Sequence, residues 1–385
     1  MYRSQCCDTI QLSADEIPKI DRSIFKKLIE DIFNGNAPDK QAVLKETFNV
    51  FSKGVSKGFK VDFNDIKYNS PDFRMLNELH YNVGVFSAFK NHRQITEMVQ
   101  LLHNDDGTLK KWDVFKVEAL KLDKTYNVNY LKTEYHQAIS SARSAREWQD
   151  IQRTKHLYPN LMYLSVNDDR TRKMHKAWHG IILPVDHPFW DTHYPINDHG
   201  CRCSTKRSDK PVDDKGVEVD KMPKLPLQFN QNVGKTGKVY NEKHPYFDTN
   251  QYKEIATFAK NALLNFQRKE IFTWLKGNLK TREVKTKIGT IKITNRYLKE
   301  MISQPHKDSY FKNNLLFDIA NVIKKAKYVK AIAPKTKDID IVKQIHIFKV
   351  TDLEDMFLIV KEFKDTNRGT IIYSIVDGIK KTPKK

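Results

Sequence analysis

Cysteine is scarce in this 385-residue chain, which holds only Cys6, Cys7, Cys201 and Cys203. Four thiols over such a length do not make a disulfide scaffold. Long apolar runs are missing as well. None approaches the roughly 20 residues that a membrane-spanning helix needs. The first residues, MYRSQCCDTIQLSADEIPK, lack the apolar stretch of a signal peptide. These absences point to a protein made in a cytoplasm, with no membrane partner. Cys6 and Cys7, adjacent near a terminus, read as two free thiols. Enough apolar material is present to build cores, at 39% hydrophobic and 11% aromatic residues, and the length suits two or three domains.

Charge is unevenly spread. The formal net charge is +20. Residues 251–385 carry 29 Lys and Arg against 14 Asp and Glu, whereas the first 250 carry 38 against 33. An excess this lopsided predicts a polyanionic partner for the last third of the chain, nucleic acid being the common one.

Hydrophobic spacing predicts a mostly helical region up to about residue 159. An Asp follows Pro38, and Val43, Leu44, Phe48, Phe51 and Val55 then recur at helical spacing. Further helices are expected over 73–89, 94–103 and 131–151. The pattern changes at Asn160. LMYLSV reads as a short strand, DDRTRKMHKAWHG as a helix closed by Gly180, and IILPV as a second strand. Residues 208–250, rich in Lys, Asp, Gly and Pro, read as an extended tail or linker. After it come a helix over 252–264, a strand over 286–294, a short helix after Asn295 and an amphipathic helix in FKNNLLFDIANVIKKAK. Four strand-like runs follow, YVKAIA, VKQIHIFKV, MFLIVKEF and TIIYSIVD. The expected fold is multidomain α+β: an N-terminal arm (1–40), a helical region (41–159), a small His/Cys-rich α+β module (160–207), a linker (208–250), and a C-terminal domain (251–385) of two helices followed by a four-stranded antiparallel sheet.

Two of the cysteines stand one residue apart in DHGCRC. If that segment is extended, Cys201 and Cys203 share a face. His175 and His179, four apart on the expected helix, share another. Two thiolates and two imidazoles converging on one point would suit tetrahedral zinc, which would staple a module with little hydrophobic core. His187, His193 and His199 are further candidate ligands or supporting groups. Two buried small side chains without metal, a strained local disulfide that a cytoplasm would disfavour, or a metal-dependent nuclease centred on this cluster are the competing readings.

The stretch YLSVNDDRTRKMHKAWHGIILPVDHPFWDTHYPINDHGCRC resembles the signature of the Mu F-like phage head morphogenesis family, the minor head proteins. The resemblance is carried by Asp168 or Asp169, Arg170, Thr171, Arg172, His175, Gly180, Pro188, Phe189, Trp190, Pro195, Cys201, Arg202 and Cys203, with a single proline at Tyr-Pro-Ile where the family often has two. It extends over about residues 40–250 through VFSAFKN and FNQNVGKTGKVYNEKHPYF. It implies a protein of the virion, in the capsid interior or at the portal, with portal and capsid proteins and phage DNA as partners and no catalysis in this part. Arg172 and Arg202 then have two readings, as phosphate contacts or as ion pairs that order a loop. The second is expected for Arg170.

The basic C-terminal unit is similar in element order, charge and runs such as ITNRYLKEMI to the barnase/EndoU/colicin/RelE-like nucleases. That resemblance implies cofactor-free ribonuclease chemistry, in which a general base and a general acid assist attack of a ribose hydroxyl on phosphorus. Histidine suits both roles. His306 and His346 are the two histidines after residue 250, and strand parity could open His346 to a cleft. Lys330, Arg368, Tyr373 and Ser374 could add phosphate contacts or a hydroxyl. The combined expectation is a head morphogenesis protein with a toxin-like ribonuclease domain, host RNA as substrate and an immunity protein as a further partner. It would be present in the host cytoplasm before assembly and after injection. The alternative is a purely structural capsid component whose basic domain only binds nucleic acid.

Overall fold

A computed structural model of the chain describes residues 17–63, 65–216, 218, 225–279 and 281–378. Cys6, Cys7 and the terminal KKTPKK lie outside the described residues. The chain divides into two compact units. One comprises Met1–Val61 and Glu78–Lys260, the other Asp62–Asn77 and Asn261–Lys385.

The first unit begins with α1 (Arg22–Phe33) and α2 (Lys40–Phe59), each started by an aspartate. The side chains of Asp21 and Asp39 accept hydrogen bonds from the otherwise unpaired backbone N–H groups of the first turns. The helices expected over 73–89 and 94–103 are one continuous helix, α3 (Pro71–Gln100). After it, α4 (Trp112–Lys124) runs through a π-helical stretch, Thr125–Tyr130, into α5 (Leu131–Thr154). Helices α2 and α5 pack closely because α2 carries glycine at the contact. A Cβ at Gly58 would stand 2.1 Å from the Ile139 carbonyl oxygen. Lys90 on α3 is fully buried, and its Nζ lies 2.7 Å from Glu134 Oε2 on α5 and 2.9 Å from the Tyr126 carbonyl oxygen.

A three-stranded antiparallel sheet follows, in the order β2-β1-β3, from β1 (Asn160–Leu164), β2 (Ile182–Pro184) and β3 (Ser204–Ser208). The connections hold α6 (Lys173–Ala177) and α7 (Phe189–Thr192). This module was expected to have little core, yet Leu161, Tyr163, Trp178, Phe189, Trp190 and Tyr194 pack with Trp148 of α5 into one buried cluster. The linker expected over 208–250 is likewise packed from Leu225 onward. Leu225 enters the same cluster, and α8 (Val233–Thr236) brings Gly234 against Trp148. Tyr240 stacks on Phe86 at 3.5 Å between ring centres, and its hydroxyl donates to the Glu134 carbonyl oxygen. Aromatic residues spaced through a Lys-, Asp- and Gly-rich stretch anchor it, which average composition conceals.

The second unit contains most of α9 (Tyr252–Asn278), then β4 (Glu283–Thr286), β5 (Gly289–Lys292), α10 (Asn295–Ser303), α11 (Ser309–Asn314), α12 (Ile319–Lys325) and β6 to β9. The last four strands are β6 (Lys327–Ile332), β7 (Val342–Lys349), β8 (Met356–Phe363) and β9 (Thr370–Asp377), and they pair antiparallel in chain order. The expected four-stranded antiparallel sheet is therefore part of a six-stranded mixed sheet, in the order β4-β5-β9-β8-β7-β6. The single strand expected over 286–294 is a hairpin turned at Gly289, where φ is +101°, and β5 joins β9 in parallel. Residues 62–77 complete this unit, with Phe63 stacked on Phe317 and Phe73 edge-on to Phe311.

Candidate metal centre

Three of the four expected ligands converge. His175 Nδ1 lies 3.8 Å from Cys201 Sγ and 3.5 Å from Cys203 Sγ, and the three ligand atoms all fall within 4.8 Å of one another. His175 is brought there by α6, and it lies parallel to the Trp178 ring at 5.3 Å. The cysteines come from the approach to β3. Gly200, at φ +66°, turns the chain, and the extended run after it sends Cys201 and Cys203 one way and Arg202 the other.

Arg202 forms a two-pronged ion pair with Asp168, both contacts at 2.6 Å. That guanidinium holds the Asp168 carboxyl well below its ordinary range. Arg172 pairs with Asp198 at 2.8 Å and donates to the His199 carbonyl oxygen at 3.0 Å. The two arginines thus clamp the strand-to-helix loop to the Cys-x-Cys loop, which fits the loop-ordering reading better than phosphate contact. Arg170 lies 3.9 Å from Asp168 and is largely exposed.

His179 does not join the group. The expected helix is only five residues long, so the four-residue spacing does not set a common face. The chain leaves the helix at Trp178 and turns at Gly180, φ +80°. His179 Nδ1 instead accepts from the Ser165 backbone N–H at 3.2 Å. His187 Nδ1 accepts from the Phe189 N–H, His193 stacks on Phe189, and His199 lies edge-on to Phe229.

The donor set suits zinc. With bonds of about 2.3 Å to sulfur and about 2.0–2.1 Å to nitrogen, a tetrahedral ion separates sulfur from nitrogen by about 3.5 Å. The observed separations match within a few tenths of an ångström. Two thiolates and an imidazole are also the borderline-soft ligands that zinc takes. Cys201 is pushed below the ordinary thiol range because the Cys203 thiol and His175 hydrogen-bond to it, and Cys203 is pushed up in consequence. Metal would take both cysteines as thiolates, so its binding would release their protons. A small opening lined by Val166, Arg170, Thr171 and Gly200 faces the group and leaves a side on which a fourth ligand could enter.

In the second unit, the expected catalytic residues do not assemble into one site. His306 Nε2 lies 2.6 Å from Asp377 Oδ1, at the end of β9 that pairs with Met356. His346 Nε2 lies 3.0 Å from Glu362 Oε2, near the opposite end of β8. Glu362 lies six residues along the strand from Met356, about 20 Å at the usual rise. His346 is buried, not open to a cleft, because both faces of β7 are covered in this sheet. Arg368 lies over the Phe363 ring, Tyr373 packs against Tyr297 under the Lys361 ammonium, and Ser374 donates to the Gln304 side chain. Lys330 is exposed on the edge strand β6.

Sequence reasoning missed the Lys90–Glu134 pair, and also a second group of cations where α5 meets β3. The signal for the latter was Arg143 and Arg146 three apart in SSARSAREW.

Comparison with known proteins points to the same region. Residues 92–206 match the family model described as Phage Mu protein F like protein, and that span contains His175, Cys201, Cys203 and the Asp168–Arg202 clamp. Residues 263–373 match a second model, Large polyvalent protein-associated domain 3. The first of these matches supports the Mu F-like resemblance read from the signature. Two curated relatives are similar. The Mu-like prophage FluMu F protein of Haemophilus influenzae is 38% identical over 90 residues, covering 23% of this chain and 21% of that protein. The Putative capsid assembly protein F of Escherichia phage Mu is 29% identical over 136 residues, covering 32% of this chain and 29% of that protein. The chain therefore spans between a fifth and a third of the length of these relatives. No solved structure matches significantly. Among the described residues, no helix is long and apolar enough to cross a membrane.

Proposed function

We propose that this chain is a phage or prophage head morphogenesis protein, and that its Mu F-like region is held in shape by a structural zinc ion on His175, Cys201 and Cys203. The observation that carries the reading is the coincidence of the ligand group with the matched span 92–206. Zinc would tie α6 to the segment entering β3, and the Arg202–Asp168 and Arg172–Asp198 pairs tie the same two segments around it. The partners are portal and capsid proteins, and the location is the virion. The second unit is read as a basic accessory domain that contacts polyanions and not as a ribonuclease, because its histidines are each engaged by a carboxylate at opposite ends of a sheet.

Three measurements test this. Purified full-length protein should carry about one equivalent of zinc by elemental analysis, lost in Cys201→Ser and Cys203→Ser and retained in His179→Ala. In a host carrying the phage, the chain should sediment with purified heads, and its absence from them would overturn the assembly role. RNA cleavage that survives chelator and disappears in His346→Ala would restore the ribonuclease reading. Cleavage abolished by chelator and by Cys201→Ser would favour a metal-dependent nuclease instead.

A further inference from the structure

A cleft of about 890 Å³ opens within the first unit between the C-terminal end of α2, one face of α5 and the strand β3. It is separate from the metal centre. Its walls carry Lys60 from the end of α2, Arg143 and Arg146 from α5, and Lys206 and Arg207 from β3. Only two carboxylates, Glu147 and Asp150, line it against these five cations. Such a concentration of like charge in one concavity is costly to maintain and focuses potential on an anion. The local hydrogen bonds fix part of this wall. Arg146 donates to the Phe59 carbonyl oxygen at 2.6 Å, and Arg207 donates to the Thr154 hydroxyl at 3.0 Å. Arg146 and Arg207 are therefore held in place in advance of binding, which lowers the entropy lost when a ligand arrives.

Two further features narrow the ligand. Tyr158 lines the cleft and is 41% exposed, an unusual position for a large aromatic ring in a unit that buries most of the others. Ser204 and Thr205 line it from β3, which is an edge strand of its sheet. A groove of guanidinium and ammonium groups with an exposed aromatic ring is the arrangement that holds single-stranded nucleic acid: phosphates meet the cations and a base stacks on the ring. The volume accommodates a few nucleotides and falls in the range of specific ligand sites. An acidic peptide would use the cations but would leave the ring without a role. We propose that this cleft binds single-stranded nucleic acid, with Lys206 and Arg207 contacting phosphate and Tyr158 stacking a base.

The test uses the full-length protein and a fluorescently labelled oligothymidylate of about 12 nucleotides, read by anisotropy over a salt series. The double variant Lys206→Glu with Arg207→Glu should weaken binding about tenfold or more and lower the slope of log affinity against log salt by about 1.4, since each lost phosphate contact on a single strand removes about 0.7. A control with the same change in net charge, Lys121→Glu with Lys124→Glu on α4 of the first unit, should weaken it far less. Tyr158→Ala should weaken binding with the salt slope unchanged, and Tyr158→Trp should restore it. Melting curves check that each variant folds. The proposal is overturned if the oligonucleotide does not bind, if the cleft and control variants lose affinity equally, or if Tyr158→Ala has no effect. It is also overturned if polyglutamate competes as well as the oligonucleotide, which would make the cleft a site for an acidic protein segment.

Discussion

Replacing Glu134 by glutamine asks how much the buried charge pair holds the helical part of the first unit. Lys90 Nζ and Glu134 Oε2 are 2.7 Å apart, with side chains 0% and 6% exposed. At an effective dielectric of about 20 their gross attraction is about 6 kcal/mol. Desolvation offsets much of it, but removing one partner strands the other, and such changes cost about 3–5 kcal/mol. For a unit of this size that lowers the melting temperature by about 10 °C. The loss has a pH signature. Burial pushes Lys90 below its ordinary value, and Glu134 opposes that push. An amine with a depressed folded-state pKa is protonated more in the unfolded chain, so stability rises as pH climbs toward the unfolded value of about 10.4. Glu134→Gln removes the opposing charge and deepens the depression. The deficit of the variant relative to wild type should therefore be largest near neutral pH and shrink toward pH 10. Pairing it with Lys90→Met, which replaces the ammonium by an apolar group of similar length, should recover most of the stability. Thermal melting followed by tryptophan fluorescence at several pH values measures all three variants. A Glu134→Gln loss below about 1 kcal/mol, flat with pH, would refute the reasoning, because the pair would then be no stronger than an exposed one.

Gly58→Ala should destabilise the protein despite alanine's better helix propensity, because the new Cβ meets backbone at Ile139 and α2 and α5 must separate. The expected net loss is about 1–3 kcal/mol by denaturant titration. Burial also pushes His244 down to about 4. A histidine with a depressed folded-state pKa takes up a proton on unfolding, so stability should fall as pH drops from about 6.5 toward 4, by up to roughly 3 kcal/mol, and His244→Phe should flatten that slope in melting curves. Asp168, held low by Arg202, has the opposite origin and the same acid sensitivity. Its contribution is present above the ordinary carboxylate range and is lost only as pH falls through its depressed value. On the zinc reading proposed above, Asp168→Asn should speed release of metal at neutral pH from protein loaded with one equivalent of zinc, measured with a chromogenic chelator, by loosening the clamp around the Cys-x-Cys loop.

Local pattern carried much of this protein. The alternation in KQIHIFKV specified a strand, since residues two apart share a face whatever the strand packs against. The aspartate before α2 specified a helix start, because its side chain satisfies backbone groups within three residues, whereas α1 lies in what was expected to be an N-terminal arm. Cys201 and Cys203 sharing a face followed from the same two-residue period. The convergence of His175 on them did not, because it depends on how the sheet and α6 pack. His179 failed as a ligand because α6 stops after five residues, and no residue in MHKAWHG marks where a short helix will end before its glycine.

Other features were decided only in three dimensions. That β5 pairs with β9 in parallel, and that one sheet separates His306 from His346, depends on partners about 80 and 40 residues apart in sequence, where periodicity carries no information. The basic cleft joins cations from residues 60, 143, 146, 206 and 207, and its charges could not be told from solvated surface until α2, α5 and β3 were packed together. The sequence by itself determined which side chains each element presents, because that depends on dihedral periods of a few bonds. Which of them meet, and therefore where metal or phosphate can be held, was decided by the tertiary structure, because meeting depends on contacts whose loop-closure and burial energies extend over the whole unit.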